Sequence, residues 1–308
     1  MFSIFLNTLP FFALIGLGYL SGRSGFFSRE ATAHLTKFVF YFALSAMLFR
    51  FSSNLSLAEL LDWNFMAAYL CATLAVYISA GAIARWRGEA VEASIIEAQS
   101  SVIGNMGWMG LAMIPILLGA DAVGPVMLVL IVDLVFFGPL VVILIVGYRE
   151  GRVSFNLFRT LGLGLIKNPM VMSIVLGLIW AAFGWPVPVL LNRFMEILAG
   201  ASTPGALFAI GASMAYVTAK TVRIPSLLSL NKLIMHPLAV AIASIWVFSL
   251  DPFASAVMIA CAAMPVAGNV YMIANHYGID TDRVSVAILI STAASVLTIP
   301  LIIQLSGV

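Results

Sequence analysis

Apolar runs of about 20 residues, the length a helix needs to cross a bilayer, follow one another through almost the whole chain. In hydrocarbon every backbone amide and carbonyl must find its partner inside the protein, so such runs have to be helices. The sequence predicts ten of them, at 2–21, 31–51, 63–84, 94–118, 123–147, 166–184, 190–217, 230–249, 252–276 and 283–305. Short connections make them one compact bundle. Charged residues are only 9% of the chain, where a soluble domain carries about 25%, which excludes an ordinary soluble fold. Met1 to Leu20 lacks a basic leader and reads as a first span rather than a cleaved signal.

Basic residues give the orientation, because they stay on the cytoplasmic side. With the N-terminus outside, thirteen of the fifteen Lys and Arg residues fall at inner ends and loops, among them Arg85, Arg87, Arg149, Arg152, Lys167, Lys220, Lys232 and Arg283. Only Arg50 and Arg193 fall outside. The bias is accounted for by an even number of spans, with both termini outside a bacterial inner membrane. His34, His236 and His276 are likewise expected near cytoplasmic ends, as interfacial side chains or else as proton relays.

Five spans per half require that, if the halves are repeats, the second is inverted in the membrane. A shift of 159 residues superposes Pro10 on Pro169, Gly18 on Gly177, Leu48-Phe49 on Leu207-Phe208, Gly119 on Gly278 and Asp121 on Asp280. The predicted fold is therefore all-α, ten transmembrane helices in two inverted five-helix repeats, 1–150 and 151–308.

Two stretches should not be continuous helix. Gly104-Asn105-Met106-Gly107-Trp108-Met109-Gly110 lies inside span 4, and Pro265-Val266-Ala267-Gly268-Asn269 inside span 9. Glycine, proline and asparagine weaken a helix interior, and paired interruptions in two halves are the sequence pointer to a secondary transporter's binding site. Asn105 and Asn269, as N-caps, would each start a new half-helix, aiming orphan amides and a positive dipole end at a shared point. That arrangement attracts a carboxylate without a buried Lys or Arg. The glycines also permit simple close packing of helices. Around the breaks, Met106, Trp108, Met109 and Met113 are core packing or the lining of an apolar pocket.

Asp133 is the acid placed near the centre of a span. It is a candidate proton carrier or cation ligand, or else a carboxyl kept for structural reasons. Glu97 reads as a snorkelling end residue of span 4 or part of a cytoplasmic vestibule, and Cys71 and Cys261 as buried, reduced thiols. The spacing of His and acids makes no metal site, no HExxH, GxSxG or phosphate-cradling loop occurs, and a net charge of +2 gives no reason to expect nucleic acid. No enzyme and no cofactor is expected.

Several short motifs resemble the auxin efflux carrier family, which includes the plant PIN-FORMED carriers and bacterial permeases, some for malate or malonate. They are Lys167-Asn168-Pro169 with Ser173 and Gly177-Leu178-Ile179-Trp180, Ala206-Leu207-Phe208 before Gly211, Ala263-Met264-Pro265 with Ala274 and Tyr277, and Ile299-Pro300-Leu301. The resemblance covers nearly the whole chain. It implies the crossed-helix fold of NhaA and the bile-acid transporters. Spans 1, 2, 6 and 7 would form a dimer-forming scaffold, spans 3–5 and 8–10 a moving transport domain, and spans 4 and 9 would cross where a substrate carboxylate binds. Asn105 and Gly110 match the family's substrate-contacting pattern, while Gly104 and Val270 stand where the plant carriers have crossover prolines.

The substrate-binding candidates are thus Gly104, Asn105, Met106, Met109, Gly110, Pro265, Gly268, Asn269 and Val270, with Asp133 for ion coupling. The expected function is elevator-type secondary transport of a small carboxylate across the lipid bilayer by a homodimer, coupled to H+ or Na+. The alternatives are a sodium-coupled organic anion symporter of the bile-acid type and a non-transporting membrane sensor on the same scaffold.

Overall fold

The computed structural model describes residues 2–54, 62–151, 155–217 and 221–306; Arg152 and Lys220, used above for orientation, lie outside them. In chain order the helices are α1 (Phe2–Arg23), α2 (Arg29–Ser53), α3 (Trp63–Trp86), α4 (Val91–Val102), α5 (Met106–Leu118) and α6 (Ala120–Glu150). They continue as α7 (Phe155–Lys167), α8 (Pro169–Ala182), α9 (Val189–Met214), α10 (Arg223–Val247), α11 (Pro252–Ala262), α12 (Gly268–Tyr277) and α13 (Thr281–Leu305). The described residues contain no strand, only one isolated backbone bridge.

Six helices, α2, α3, α6, α9, α10 and α13, are each long and apolar enough to cross a membrane, and the pair α7 and α8, bent by 71°, makes a seventh if counted as one span. The protein is therefore an all-α membrane protein. The interruptions expected in spans 4 and 9 are present: α4 stops at Val102 before α5 begins at Met106, and α11 stops at Ala262 before α12 begins at Gly268.

Two boundaries differ from the sequence reading. Residues expected to form a plain loop before span 6 include α7, which ends against Asn168. The Asn168 side chain accepts from Met170 N at 2.9 Å and Val171 N at 3.4 Å, and Pro169 follows it, so the cap starts a new helix in a new direction. The eighth span begins at Arg223 rather than near 230, with Pro225 in its first turn, where a missing amide is harmless. Lys232 and His236 are thereby moved from a helix end to well inside a helix.

The most extensive interhelical contacts join α1 to the second half of α9, and α2 to α8. Glycine sets both separations. A Cβ on Gly18 would lie 2.1 Å from Phe208 O, and one on Gly177 would lie 2.8 Å from Phe49 O. One on Gly211 would lie 1.9 Å from Ile15 O. Under the 159-residue shift, Gly18 becomes Gly177 and Phe49 becomes Phe208, so the first two contacts exchange partners.

A second feature ties helix ends together. Glu97, expected as an exposed end residue, is 3% exposed and bridges Arg87 and Arg283, the latter at 2.7 Å. Arg283 also reaches Glu89 at 3.1 Å and Asp280 at 3.3 Å. Arg149 of α6 pairs with Glu92 and donates to Tyr277 O at 2.8 Å. These bonds join the ends of α3, α4, α6, α12 and α13. Of the cysteines, Cys261 is buried as expected, but Cys71 is exposed on the outer face of α3.

Gly211→Ala should lower the Tm of the purified protein in detergent, by an overpacking cost of about 1–3 kcal/mol. Gly162→Ala, where no atom lies within 4 Å of the added methyl, should leave it unchanged or slightly raised. Equal melting of the two variants would show that α1 and α9 have room to separate. Glu97→Gln should cost about 1–3 kcal/mol, since it removes the buried carboxylate that Arg87 and Arg283 share, while Arg283 keeps Glu89 and Asp280. Glu92→Gln, at a more exposed pair, should cost less than about 1 kcal/mol by the same melting measurement.

Candidate functional site

The two interruptions run antiparallel and bond to each other. Asn105 N donates to Pro265 O at 2.8 Å and Ala267 N donates to Ile103 O at 3.0 Å, with Gly104 opposite Val266. Val266 N donates to Ser291 Oγ of α13 at 3.1 Å. Each of these groups has left its helix ladder inside apolar sequence, where an unmet donor or acceptor costs about 1–3 kcal/mol. Pairing the strand-like segments removes that cost.

Each interruption opens a half-helix. Met109 N and Gly110 N both bond to Asn105 O at 3.0 Å, so the ladder of α5 begins there and the amides of Gly107 and Trp108 precede it. In α12 Val270 N bonds to Ala267 O at 3.2 Å, and the amides of Gly268 and Asn269 precede the regular ladder. Both positive helix ends therefore start within two residues of the bridge, an electrostatic setting that favours an anion. Aromatic and sulfur groups close the opposite side. Phe40 of α2 stacks on Trp108, with centroids 6.5 Å apart, and a Cβ on Gly107 would lie 2.7 Å from Met170 Cε of α8.

The expected residues divide around this crossing. Asn105 is the N-cap of α5 and 7% exposed, but its side chain makes no capping bond to the helix. Asn269 is not a cap: that position is Ala267, and Asn269 lies exposed in the first turn, at the place Gly107 occupies in α5. The two Gly-Asn pairs are thus not equivalent, because backbone pairing fixes the register rather than residue identity. Gly268 is exposed beside Asn269. Met106, Met109 and Val270 are at most 1% exposed, and Gly104, Gly110 and Pro265 are also buried, so these six support the crossing from within. Met106 fills the space above Gly110, where a Cβ would lie 2.7 Å from its sulfur.

Charge was the principal omission. Lys232 and His236, read from sequence as cytoplasmic-end residues, are both fully buried. Lys232 Nζ donates to Ala262 O, the last carbonyl of α11, and lies 3.2 Å from His236 Nδ1. With the ammonium as donor, His236 Nδ1 accepts, and Nε2–H faces Thr73 Oγ1 of α3 at 3.0 Å. Spans 4 and 9 themselves bring no lysine or arginine to the crossing; Lys232 comes from the eighth span. A Cβ on Gly104 would lie 3.2 Å from both Cε and Nζ of Lys232.

Asp133, 6% exposed, is placed as expected inside a helix. Its Oδ1 accepts from Tyr69 OH of α3 at 3.0 Å, and its Oδ2 is buried with no hydrogen-bond partner among the described residues. Asp133 and Lys232 lie in each other's electrostatic field. Each sits in a π-helical turn, Asp133–Phe137 and Asn231–Met235, the kind of helix irregularity that collects at functional positions. The sequence signal for the cation was Lys232 with His236 one turn later, on the same face of a helix. It becomes readable once Pro225 is taken as the helix start. His34 and His276 are exposed, as expected. Among the described residues no group of His, Cys, Asp or Glu is arranged to hold a metal ion.

A family model described as "Membrane transport protein" matches residues 3–303. A Rhizobium meliloti (strain 1021) protein named "Putative malonate transporter" is 30% identical over 300 residues, covering 94% of this chain and 92% of the relative. The "Uncharacterized transporter YfdV" of Escherichia coli (strain K12) is 24% identical over 314 residues, 97% of this chain and 96% of its own length. The organisation of the helices, the broken pair and these end-to-end matches agree: the chain belongs to the membrane transport protein family, the auxin efflux carrier family whose motifs it carries, and is a membrane transporter rather than an enzyme.

Proposed function

We propose that the protein is a secondary transporter of small organic anions, with a malonate-like dicarboxylate as the first substrate to test. The observation that carries this reading is the crossing, where two half-helix N-termini start beside one backbone bridge and Lys232 stands behind Gly104. Amides ahead of the two ladders and the side-chain amide of Asn105 hold one carboxylate group. The name of the Rhizobium meliloti relative supports the choice of malonate.

The fold behind it is ten spans in two inverted repeats with crossed spans 4 and 9. The exchange of the Gly18–Phe208 and Gly177–Phe49 contacts under the repeat shift supports that symmetry. So do the two shift-related glycines with positive φ, Gly119 (99°) and Gly278 (70°). Helices α1, α2, α8 and α9 form the scaffold and dimerise. The rest, braced at one end by Glu97 and Arg283, moves as a rigid body past Phe40 and Met170 in an elevator-type cycle. Both termini face outward, from a bacterial inner membrane. Asp133 is the proton-accepting group, its free Oδ2 ready for a proton and its Oδ1 held by Tyr69.

Labelled malonate and malate should enter proteoliposomes containing the purified protein under a pH gradient or a sodium gradient; no flux of any organic acid under either would remove the proposal. Asn105→Ala should reduce uptake at least about tenfold, the worth of one hydrogen bond to a charged group. Asp133→Asn should abolish gradient-driven accumulation and spare counterflow exchange. If accumulation by this variant matches the wild type, Asp133 is structural.

A further inference from the structure

Both half-helices that enter the crossing, α4 and α11, end beside it, and helix C-termini present carbonyls at the negative end of the dipole. In transporters built from broken helices such ends hold the coupling cation. Here a side chain already occupies that position. Lys232 Nζ donates to Ala262 O at the end of α11 and to His236 Nδ1, and stands against Gly104, two residues beyond the end of α4. It is fully buried, and Lys232 comes from a third helix, α10.

We propose that the Lys232 ammonium is a tethered cation, filling from within the chain the position where a free sodium ion would otherwise bind, so that the transport cycle requires no sodium. The groups facing it are His236 on its own helix, Asp133 of α6, and Cys261 and the Ala262 carbonyl of α11. Tyr69 and Thr73 of α3 hold Asp133 and His236 in place. An ammonium and a sodium ion compete for the same carbonyl, and the tether gives the ammonium an effective concentration that a solution ion does not reach. Asp133 is then the group left to couple flux to protons. This inference rests on the transporter reading for its meaning, but its test does not need a substrate.

The purified full-length protein is melted in detergent in choline chloride and in sodium chloride at equal ionic strength. The wild type should have the same Tm in both salts. Lys232→Ala, which leaves the Ala262 carbonyl without its donor and opens space beside it, should melt lower in choline. Sodium should restore several degrees of that loss in a saturable manner. A saturable rise of the wild-type Tm with sodium overturns the proposal, and so does a folded Lys232→Ala protein that melts alike in the two salts. If that variant does not fold, Lys232→Ser, which keeps an oxygen in the space, replaces it with the same expectations, and the wild-type comparison stands by itself. In proteoliposomes, wild-type malonate flux should persist when sodium is replaced by choline; flux strictly dependent on sodium overturns the inference. A wild type that carries no organic acid, yet shows the expected salt behaviour in both forms, refutes the substrate reading and leaves the tethered cation standing.

Discussion

The structure depends on how backbone groups freed from a helix are satisfied inside a bilayer. Water is not available there, so an interrupted span needs a partner of the same kind. The protein supplies one by laying residues 103–105 against 265–267, where two reciprocal amide-to-carbonyl bonds replace those lost from the ladders. Ser291 of α13 takes the amide of Val266, fixing the pair to a long helix. Neither interruption is tolerable alone. Each half-helix end owes its place to the other half of the chain.

The same interruptions determine where charge can reside. Two helix beginnings favour negative charge and two helix endings favour positive charge, all close to one bridge. Lys232 answers the endings, with a carbonyl and an imidazole nitrogen as its partners. Asp133 is the buried acid of α6, hydrogen-bonded by Tyr69 of α3. Charges this deep are expensive in hydrocarbon unless paired and bonded, which is why α3 contributes both Tyr69 and Thr73 to one face. The other ion pairs gather at helix ends around Glu97 and Arg283, where solvent still screens part of the charge.

Close packing of a different kind holds α1 to α9 and α2 to α8. Lipid tails are as apolar as leucine, so such interfaces gain from small residues that let backbones touch. Gly18, Gly177 and Gly211 serve that purpose, and large apolar side chains on the outward faces of these helices are exposed. Phe40 on Trp108 and Met170 over Gly107 lie between these helices and the crossing, and α1 and α9 also pack against α5.

Much of this was written in local sequence. Hydropathy alone determined that the chain is helical and membrane-embedded, since runs of that length and composition have no other stable state. Gly104 to Gly110 and Pro265 to Asn269 announced the interruptions, because their helix propensity is low wherever they occur. Asp133 was legible because an acid inside an apolar run is costly. Lys232, Tyr69, Thr73 and His236 were not, since a lysine near the estimated end of a span looks like any interfacial lysine until the helix is seen to start at Arg223. Nor could sequence align the two breaks. Matching Gly-Asn with Gly-Asn is a comparison of letters, whereas hydrogen bonding pairs Gly104 with Val266 and makes Ala267 the counterpart of Asn105. The chain by itself determined which segments enter the membrane and where they fail as helices. Tertiary structure decided which groups meet there, because those meetings join different helices, from 30 positions apart for Lys232 and Ala262 to 163 for Thr73 and His236, and only backbone pairing and burial select among them.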